Sequence, residues 1–276
     1  MSNHSNQAIV ITRAVRDTAD VPAALKVEQR ELPALRESEV LVRSIYASLD
    51  PAMLMWIRFA APYMPLAAGD VLPTMVIGVV EASRLTGFSP GDVVSTFGLM
   101  QERFVARASG GKDHDAGKGG VLSVTHVAVE RQVPLHLHLS LLSHIGHAAV
   151  GIHRIGHVVA GETVLVSAAA GATGSIAAQL AKAQGARVIG VAGGVQKCAW
   201  LTDAIGLDGA IDHRGDVAAQ LTELAPQGVD LFFDNVGGPL LDTVLLHLAV
   251  HARVVVLRQP DPVRRCQRGP LPLCQH

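Results

Sequence analysis

Short runs of alternating hydrophobic and polar positions dominate the first 108 residues of the chain. In Glu39–Ala47 the alternation is marked by Val40, Val42 and Ile45, and the run is rich in β-branched residues, as a strand with one buried face should be. Further strands are predicted at Ala8–Thr12, Thr74–Ala82, Val93–Thr96 and Gln101–Ala106. Glycine and proline turns separate these strands, and their close spacing predicts a compact β barrel.

The pattern changes from residue 162 onward, where apolar runs of strand length alternate with helical periodicity. The predicted strands are Thr163–Ser167, Arg187–Val191, Ala210–Asp212, Val229–Asp234 and Arg253–Leu257. The predicted helices between them are Ser175–Gln184, Gln196–Ala204, Asp216–Leu224 and Leu240–Ala249. Strands that alternate with helices predict a doubly wound parallel sheet, so the fold class is α/β with a barrel before the sheet.

Residues 109–120 are rich in glycine and charge and make the best linker candidate. We therefore predict a barrel domain over residues 1–120, a dinucleotide-binding domain over 121–257 and an irregular, proline-rich tail over 258–276. Residues 121–158 have a less legible pattern with seven irregularly spaced histidines. Histidines on ordinary helix faces explain these residues better than a metal site does, and no metal is predicted.

Composition excludes several classes of protein. The chain has 276 residues, of which 49% are hydrophobic and 17% charged, enough to bury a core and too apolar for a disordered protein. A net charge of −1 and only 4% aromatic residues argue against binding to nucleic acid. The N-terminus resembles no signal peptide, and the uncharged residues 163–181 fit a buried strand, turn and helix better than a membrane span. A cytoplasmic protein is expected.

The turn after the strand at Thr163–Ser167 carries the sharpest chemical signal. Ala168, Gly171 and Gly174 follow the spacing A-x-x-G-x-x-G between a strand and a helix, which is the context of a dinucleotide fingerprint. Small residues let the pyrophosphate approach the backbone, and the N–H groups at the helix start face its charge. A tight structural turn is the alternative.

Two later strand ends add candidates for cofactor binding. A carboxylate that binds the ribose of NAD is expected about 20 residues after the fingerprint. The stretch Gly190–Lys197 has none, and Lys197 there favours a 2′-phosphate and hence NADP, unless it is a surface lysine on a helix start. Asn235, at the end of the strand Val229–Asp234, can donate and accept hydrogen bonds to a ligand or can merely shape a turn.

Together these residues resemble the medium-chain dehydrogenase/reductase superfamily, and within it the zinc-independent NADPH-dependent alkenal, or prostaglandin, reductases. The resemblance covers most of residues 8–257. It is carried by Ser48–Pro51, Gly87–Val94, Gly161–Ser175, Val191–Cys198, Ala210–His213 and Asp230–Gly238. It implies a GroES-like β barrel followed by a Rossmann domain, with hydride transfer from NADPH to the β-carbon of an α,β-unsaturated carbonyl compound and no metal.

The resemblance also assigns roles to residues. It implies that the pyrophosphate site is formed by Gly171, Ala172, Thr173, Gly174 and Ser175. It implies that Lys197 meets the 2′-phosphate and that Asn235 contacts the cofactor. His213 stands where the family has tyrosine, and it either binds near the adenosine end or has no role.

The chain departs from the family at three places that bear on activity. The family's Thr-Ala-Tyr before the Rossmann domain appears as His147–Ala149, without the phenol. Ala52 and Leu54 replace a tyrosine and an arginine, which leaves Tyr46 as a candidate for the substrate pocket or else a barrel-core tyrosine. The family's final return to the barrel is missing, so we expect a truncation or a shifted reading frame after about Leu257. The alternatives are therefore a quinone reductase of the same superfamily or an inactive cofactor-binding fragment. The partner is a small enone or quinone, and a homodimer is possible.

Overall fold

The computed structural model describes residues 6–15, 17–58, 66–108, 123–128 and 133–257. Contacts within the chain divide it into two compact units, Met1–Ser143 and His144–His276. This division falls later than the predicted boundary at residue 120, because a strand after the predicted linker pairs with strands of the first unit. The predictions for the linker at 109–120 and for the tail at 258–276 lie outside the described residues.

The first unit is built around a closed five-stranded barrel with the order β3-β4-β5-β7-β6. Its strands are β3 (Glu39–Ala47), β4 (Pro73–Ser83), β5 (Val93–Leu99), β6 (Arg103–Ala108) and β7 (Ser123–His126). An antiparallel pair, β1 (Gln7–Ile11) and β2 (Leu25–Gln29), accompanies the barrel, together with the helices α1 (Val21–Ala24), α2 (Ala52–Ile57) and α3 (Leu135–Ser140) and a short 3₁₀ helix at Thr18–Asp20. Val40, Val42, Val76 and Phe104 are among the side chains that fill the barrel.

The second unit is a five-stranded parallel sheet with the order β10-β9-β8-β11-β12. Its strands are β8 (Thr163–Val166), β9 (Arg187–Ala192), β10 (Gly209–Asp212), β11 (Val229–Asp234) and β12 (Leu248–Val256). Its helices are α4 (Gly146–Ala149), α5 (Ala172–Ala183), α6 (Val195–Ala199), α7 (Val217–Leu224) and α8 (Pro239–Leu245), with π-helical segments at Val150–Ile155 and Trp200–Ala204. A further π-helical segment, Leu141–Ile145, runs from the last residues of the first unit into the second.

Separate cores cover the two faces of this sheet. Ala177 and Ala181 of α5 pack with Val164 and Phe233 in one core. In the other core, Leu221 of α7 and Val244 of α8 pack with residues such as Leu165, Ile189 and Phe232. Helices on both faces of a parallel sheet are the doubly wound arrangement. The predicted fold class, a barrel followed by a Rossmann sheet, is confirmed.

The structure also shows elements that the pattern did not predict, among them β2, α2 and β7. One predicted helix ends early, since α8 ends at Leu245 instead of continuing to Ala249. Within the described part of the chain, no helix is both long and apolar enough to cross a membrane.

Candidate functional site

A cavity of about 540 Å³ opens in the second unit where the strands of the parallel sheet end. Residues that follow β8, β9, β10 and β11 line it, joined by the first turns of α7 and α8. The lining residues are Ala168, Ala170, Gly171, Val191, Ala192, Gly193, Lys197, His213, Val217, Val236, Gly237, Pro239, Leu240 and Thr243. Ligands of open α/β sheets bind at the carboxyl ends of the strands, so this cavity is the candidate site.

The turn between β8 and α5 forms one wall of the cavity. Gly174 packs so closely on this turn that an added Cβ would overlap the carbonyl of Ala168. Ala168 itself adopts a left-handed conformation, with φ of 49°, which is costly for a residue with a side chain. A strained backbone held in place beside a cavity is typical of a binding site.

The first turn of α5 is available to an anion. Gly171 is the N-cap of the helix; no side chain caps it, and no acidic residue lies in the first turn. The first N–H groups of a helix have no carbonyl of the same helix to donate to, and in α5 these groups belong to Ala172, Thr173 and Gly174. The N–H of Ser175 donates to the Gly171 carbonyl at 2.9 Å. Such a helix start favours negative charge. These five residues are therefore placed together, as the fingerprint predicted, and their binding of pyrophosphate stays a prediction.

The loops after β9 and β10 form another wall of the cavity. Lys197 and His213 are both exposed and both line the cavity. The ring of His213 lies beside Gly193, where an added Cβ would come within 2.7 Å of Nε2. Sequence reasoning missed Arg214, whose Nη1 would be 3.0 Å from a Cβ at Gly194. The only sequence signal for Arg214 is its position two residues after the end of β10.

Asp212 fixes the geometry of these two loops. Its carboxylate accepts hydrogen bonds from the backbone N–H groups of Gly194 and Arg214, both at 3.0 Å. These bonds hold the pKa of Asp212 below its usual range, with further contributions from the charges of Arg214 and His213. The carboxylate thus stays ionised and ties the end of β10 to the glycine pair after β9.

Asn235 is held at the end of β11 by a buried network. Its amide Nδ2 donates to the carbonyl of Ser167 at 2.8 Å, and its backbone N–H donates to the Ser167 hydroxyl. Asp234 is fully buried, and its Oδ1 accepts from the Ser167 hydroxyl and from the N–H groups of Val236 and Gly237. These contacts shape the turn, which was one of the two interpretations of Asn235. Its contact with a cofactor stays a prediction.

Tyr46 belongs to the first unit. The residue is 41% exposed, so its interpretation as a barrel-core tyrosine is wrong. A register shift between Ser44 and Tyr46 interrupts the alternation along β3, and Tyr46 is exposed although it is an even number of residues from the buried Val42. Its ring makes an edge contact with His136 at a centroid distance of 5.9 Å. Its role in a substrate pocket stays a prediction. Among the residues that the structure describes, no group of three or more His, Cys, Asp or Glu side chains is placed to hold a metal ion.

A parallel sheet with a glycine turn and a cavity at its strand ends defines the Rossmann class of nucleotide-binding folds. Two family models match the chain: "N-terminal domain of oxidoreductase" over residues 8–113 and "Zinc-binding dehydrogenase" over residues 172–260. The chain belongs to the medium-chain dehydrogenase/reductase superfamily, in its zinc-independent alkenal reductase-like branch.

Individual relatives agree with this placement. The chain is 34% identical to the NADPH-dependent curcumin reductase of Escherichia coli over 86% of the chain and 66% of that protein. It is 32% identical to prostaglandin reductase 1 of Mus musculus over 90% of the chain and 71% of that protein. A crystal structure of CurA from Vibrio vulnificus in complex with NADPH matches 90% of the chain and 70% of that chain, at 31% identity and a TM-score of 0.76. The chain thus spans about two thirds of the length of the curated relatives it matches.

Proposed function

We propose that the protein is an NADPH-dependent oxidoreductase that reduces the carbon–carbon double bond of α,β-unsaturated carbonyl compounds. The observation that carries the proposal is the cavity of the second unit, which has an uncapped glycine turn on one wall and Lys197 on the other. The names of the matched relatives support the same chemistry, since one is a curcumin reductase that depends on NADPH and another is a prostaglandin reductase.

The residues of the cavity fit a dinucleotide. The free N–H groups at the start of α5 would hold the pyrophosphate, with Gly171, Ala172, Thr173, Gly174 and Ser175 forming the turn around it. Glycine at position 174 lets the start of α5 pack directly on this turn, because an added Cβ would overlap the carbonyl of Ala168. Asn235, held by Ser167, would present its remaining polar atoms beside the same strand ends.

The other wall fits the adenosine end of NADPH. A carboxylate that would hydrogen-bond to the ribose hydroxyls of NADH is missing from Gly190–Lys197, and Lys197 supplies a positive charge there. A 2′-phosphate placed against Lys197 would form a charge-assisted contact that NADH cannot make. Selectivity for NADPH over NADH follows from this pair of features.

The chain's own residues do the binding and the orienting. When it is bound, the cofactor supplies a hydride to the β-carbon of the enone, and the resulting enolate takes up a proton. The cofactor-binding domain corresponds to the second unit in this proposal, and the barrel unit is assigned to the substrate. Tyr46, exposed on β3, is the candidate of the barrel unit for contact with the substrate.

The test is titration of the purified full chain with NADPH and, separately, with NADH, followed by turnover of a small enone. Tighter binding of NADPH together with enone-dependent oxidation is the expected result. Binding of NADPH without its oxidation would reject the proposed reductase activity and show that the chain only binds the cofactor. Turnover of quinones but not of enones would reject the substrate class and retain the cofactor.

A further inference from the structure

The residues after β10 lie beside the glycine pair that follows β9. The register of the two strands pairs Asp212 with Ala192, so the next residues along each strand remain opposite each other. His213 accordingly lies beside Gly193, and Arg214 lies beside Gly194. A side chain at position 193 would come within 2.7 Å of the imidazole Nε2, so glycine at this position keeps the ring on the cavity wall.

The charged groups around His213 favour the binding of an anion. Lys197 of α6 lines the same cavity, and Arg214 is the next residue along the chain. The carboxylate of Asp212 is bound by two backbone N–H groups, and that of Asp216 accepts from the Ala219 N–H at the start of α7. Both carboxylates are therefore engaged by the backbone, whereas the imidazole and the lysine face the cavity.

We propose that His213 is a specificity-determining residue whose protonation strengthens binding of the 2′-phosphate of NADPH, so that the preference for NADPH over NADH increases as the pH falls from 8 to about 6.5. The proposal rests on the proposed function, because it concerns the cofactor named there. A tyrosine or an amide at this position would donate a hydrogen bond at any pH in this range, whereas a histidine gains a full charge within it.

Protonation of His213 and protonation of the 2′-phosphate change NADPH binding in opposite directions. An ordinary histidine has a pKa of about 6.5, and an adjacent dianion favours its charged form. The second ionisation of a phosphate ester lies near pH 6, and its protonation removes negative charge as the pH falls. Protonation of the phosphate therefore weakens binding at low pH, while protonation of His213 strengthens it.

The experiment measures dissociation constants of the full chain for NADPH and NADH at pH 6.5 and pH 8.0 by calorimetric titration, without substrate. We expect the ratio of the NADH constant to the NADPH constant to be roughly 3- to 10-fold larger at pH 6.5 than at pH 8.0. His213→Gln should lose this increase, with a ratio near that of the unmodified chain at pH 8.0. His213→Lys should also lose it, with a ratio near that of the unmodified chain at pH 6.5. Since His213 is exposed, both variants should fold.

Lys197→Gln serves as the matched control, because it removes a positive charge from the same cavity and leaves the histidine in place. It should weaken NADPH binding at both pH values and leave the dependence on pH intact. An unchanged ratio in the unmodified chain, or a ratio in His213→Gln that is still larger at pH 6.5 than at pH 8.0, would overturn the proposal for His213 while NADPH binding itself upholds the cofactor assignment. Failure to bind NADPH at either pH would overturn both.

Discussion

The turn after β8 leaves no space for a side chain at Gly174. Gly174 faces the carbonyl of Ala168 with no space for a methyl group, so Gly174→Ala must displace the turn or the start of α5. We expect this change to destabilise the chain by about 1–3 kcal/mol, as overpacking does. Because it also moves the N–H groups of the helix start, NADPH affinity should fall by tenfold or more. Urea unfolding and cofactor titration measure the two effects.

Gly146→Ala is the control for that substitution. An added Cβ at Gly146 of α4 meets no atom within 4 Å, so the space for a methyl group exists. Alanine in a helix is more stable than glycine by roughly 0.5–1 kcal/mol, and this variant should be slightly stabilised with unchanged NADPH binding. Equal NADPH affinity in the two variants would show that the turn at Gly174 does not hold the cofactor.

A second residue-scale prediction concerns Asp234. Its Oδ1 accepts three hydrogen bonds inside the protein, from Ser167, Val236 and Gly237. Asp234→Ala leaves these donors without an acceptor, and we expect a loss of about 2–4 kcal/mol, since each unsatisfied buried group costs about 1–3 kcal/mol. Asp234→Asn retains one oxygen, so its loss should be smaller. Equal stability of Asp234→Ala and the unmodified chain in chemical denaturation would show that these hydrogen bonds do not contribute to the free energy of unfolding.

Sequence reasoning succeeded at this scale where the order of residues along one strand was sufficient. The fingerprint predicted the position of Gly171 beside a helix start, and the missing carboxylate directed attention to Lys197. Arg214 was missed because its position beside Gly194 depends on how β10 registers with β9. Such a contact between residues 20 apart follows from strand pairing and not from local pattern.

At the scale of elements, one ion pair fastens β12 to the segment that leads into β8. Arg253 of β12 donates two hydrogen bonds of 2.7 Å to the carboxylate of Glu162, and its Nε donates to the carbonyl of Gly156. Hydrogen bonds from Arg253 hold the pKa of Glu162 below its ordinary value near 4.5. The pair is bidentate but partly open to solvent, so its contribution to stability should be about 1–2 kcal/mol.

The pH dependence of this contribution has a defined sign. Because the pKa of Glu162 is lower in the folded state, the stabilisation is present above pH 4.5 and is lost as the pH falls through the folded-state pKa. Glu162→Gln should therefore be less stable than the unmodified chain at pH 7 and nearly equal to it at the lowest pH where both still fold. Denaturant titrations at several pH values measure this convergence. A constant difference between the two proteins would contradict it.

The end of α8 shows why element boundaries were harder to predict than element types. Leu240, Leu241, Val244 and Leu248 recur at helical spacing, and this period predicted a helix that continues to Ala249. In the structure Leu248 pairs with Val229 and begins β12, while the helix has already ended at Leu245. Pairing with a neighbouring strand thus overrides the local period.

At the scale of the whole molecule, the two units have separate hydrophobic cores. The barrel is filled by one cluster that includes Val42 and Phe104, and the parallel sheet is covered on its two faces by two others. Both architectures followed from strand and helix patterns. The place where the first unit ends did not, because β7 is four residues long and becomes recognisable only by its pairing with β5 and β6.

Separate cores give a thermal prediction for the whole chain. All the residues that line the candidate cavity belong to the second unit, so a bound cofactor directly stabilises that unit against unfolding. We expect calorimetry to resolve two transitions, of which saturating NADPH raises one. At a free concentration of 100 times the dissociation constant, the added stability is about 2.7 kcal/mol. At the same NADPH concentration, Gly174→Ala should reduce this added stability to about half or less, while Gly146→Ala should preserve it. A single transition that NADPH raises as a whole would show instead that the two units unfold together, and an unchanged scan would contradict binding at this cavity.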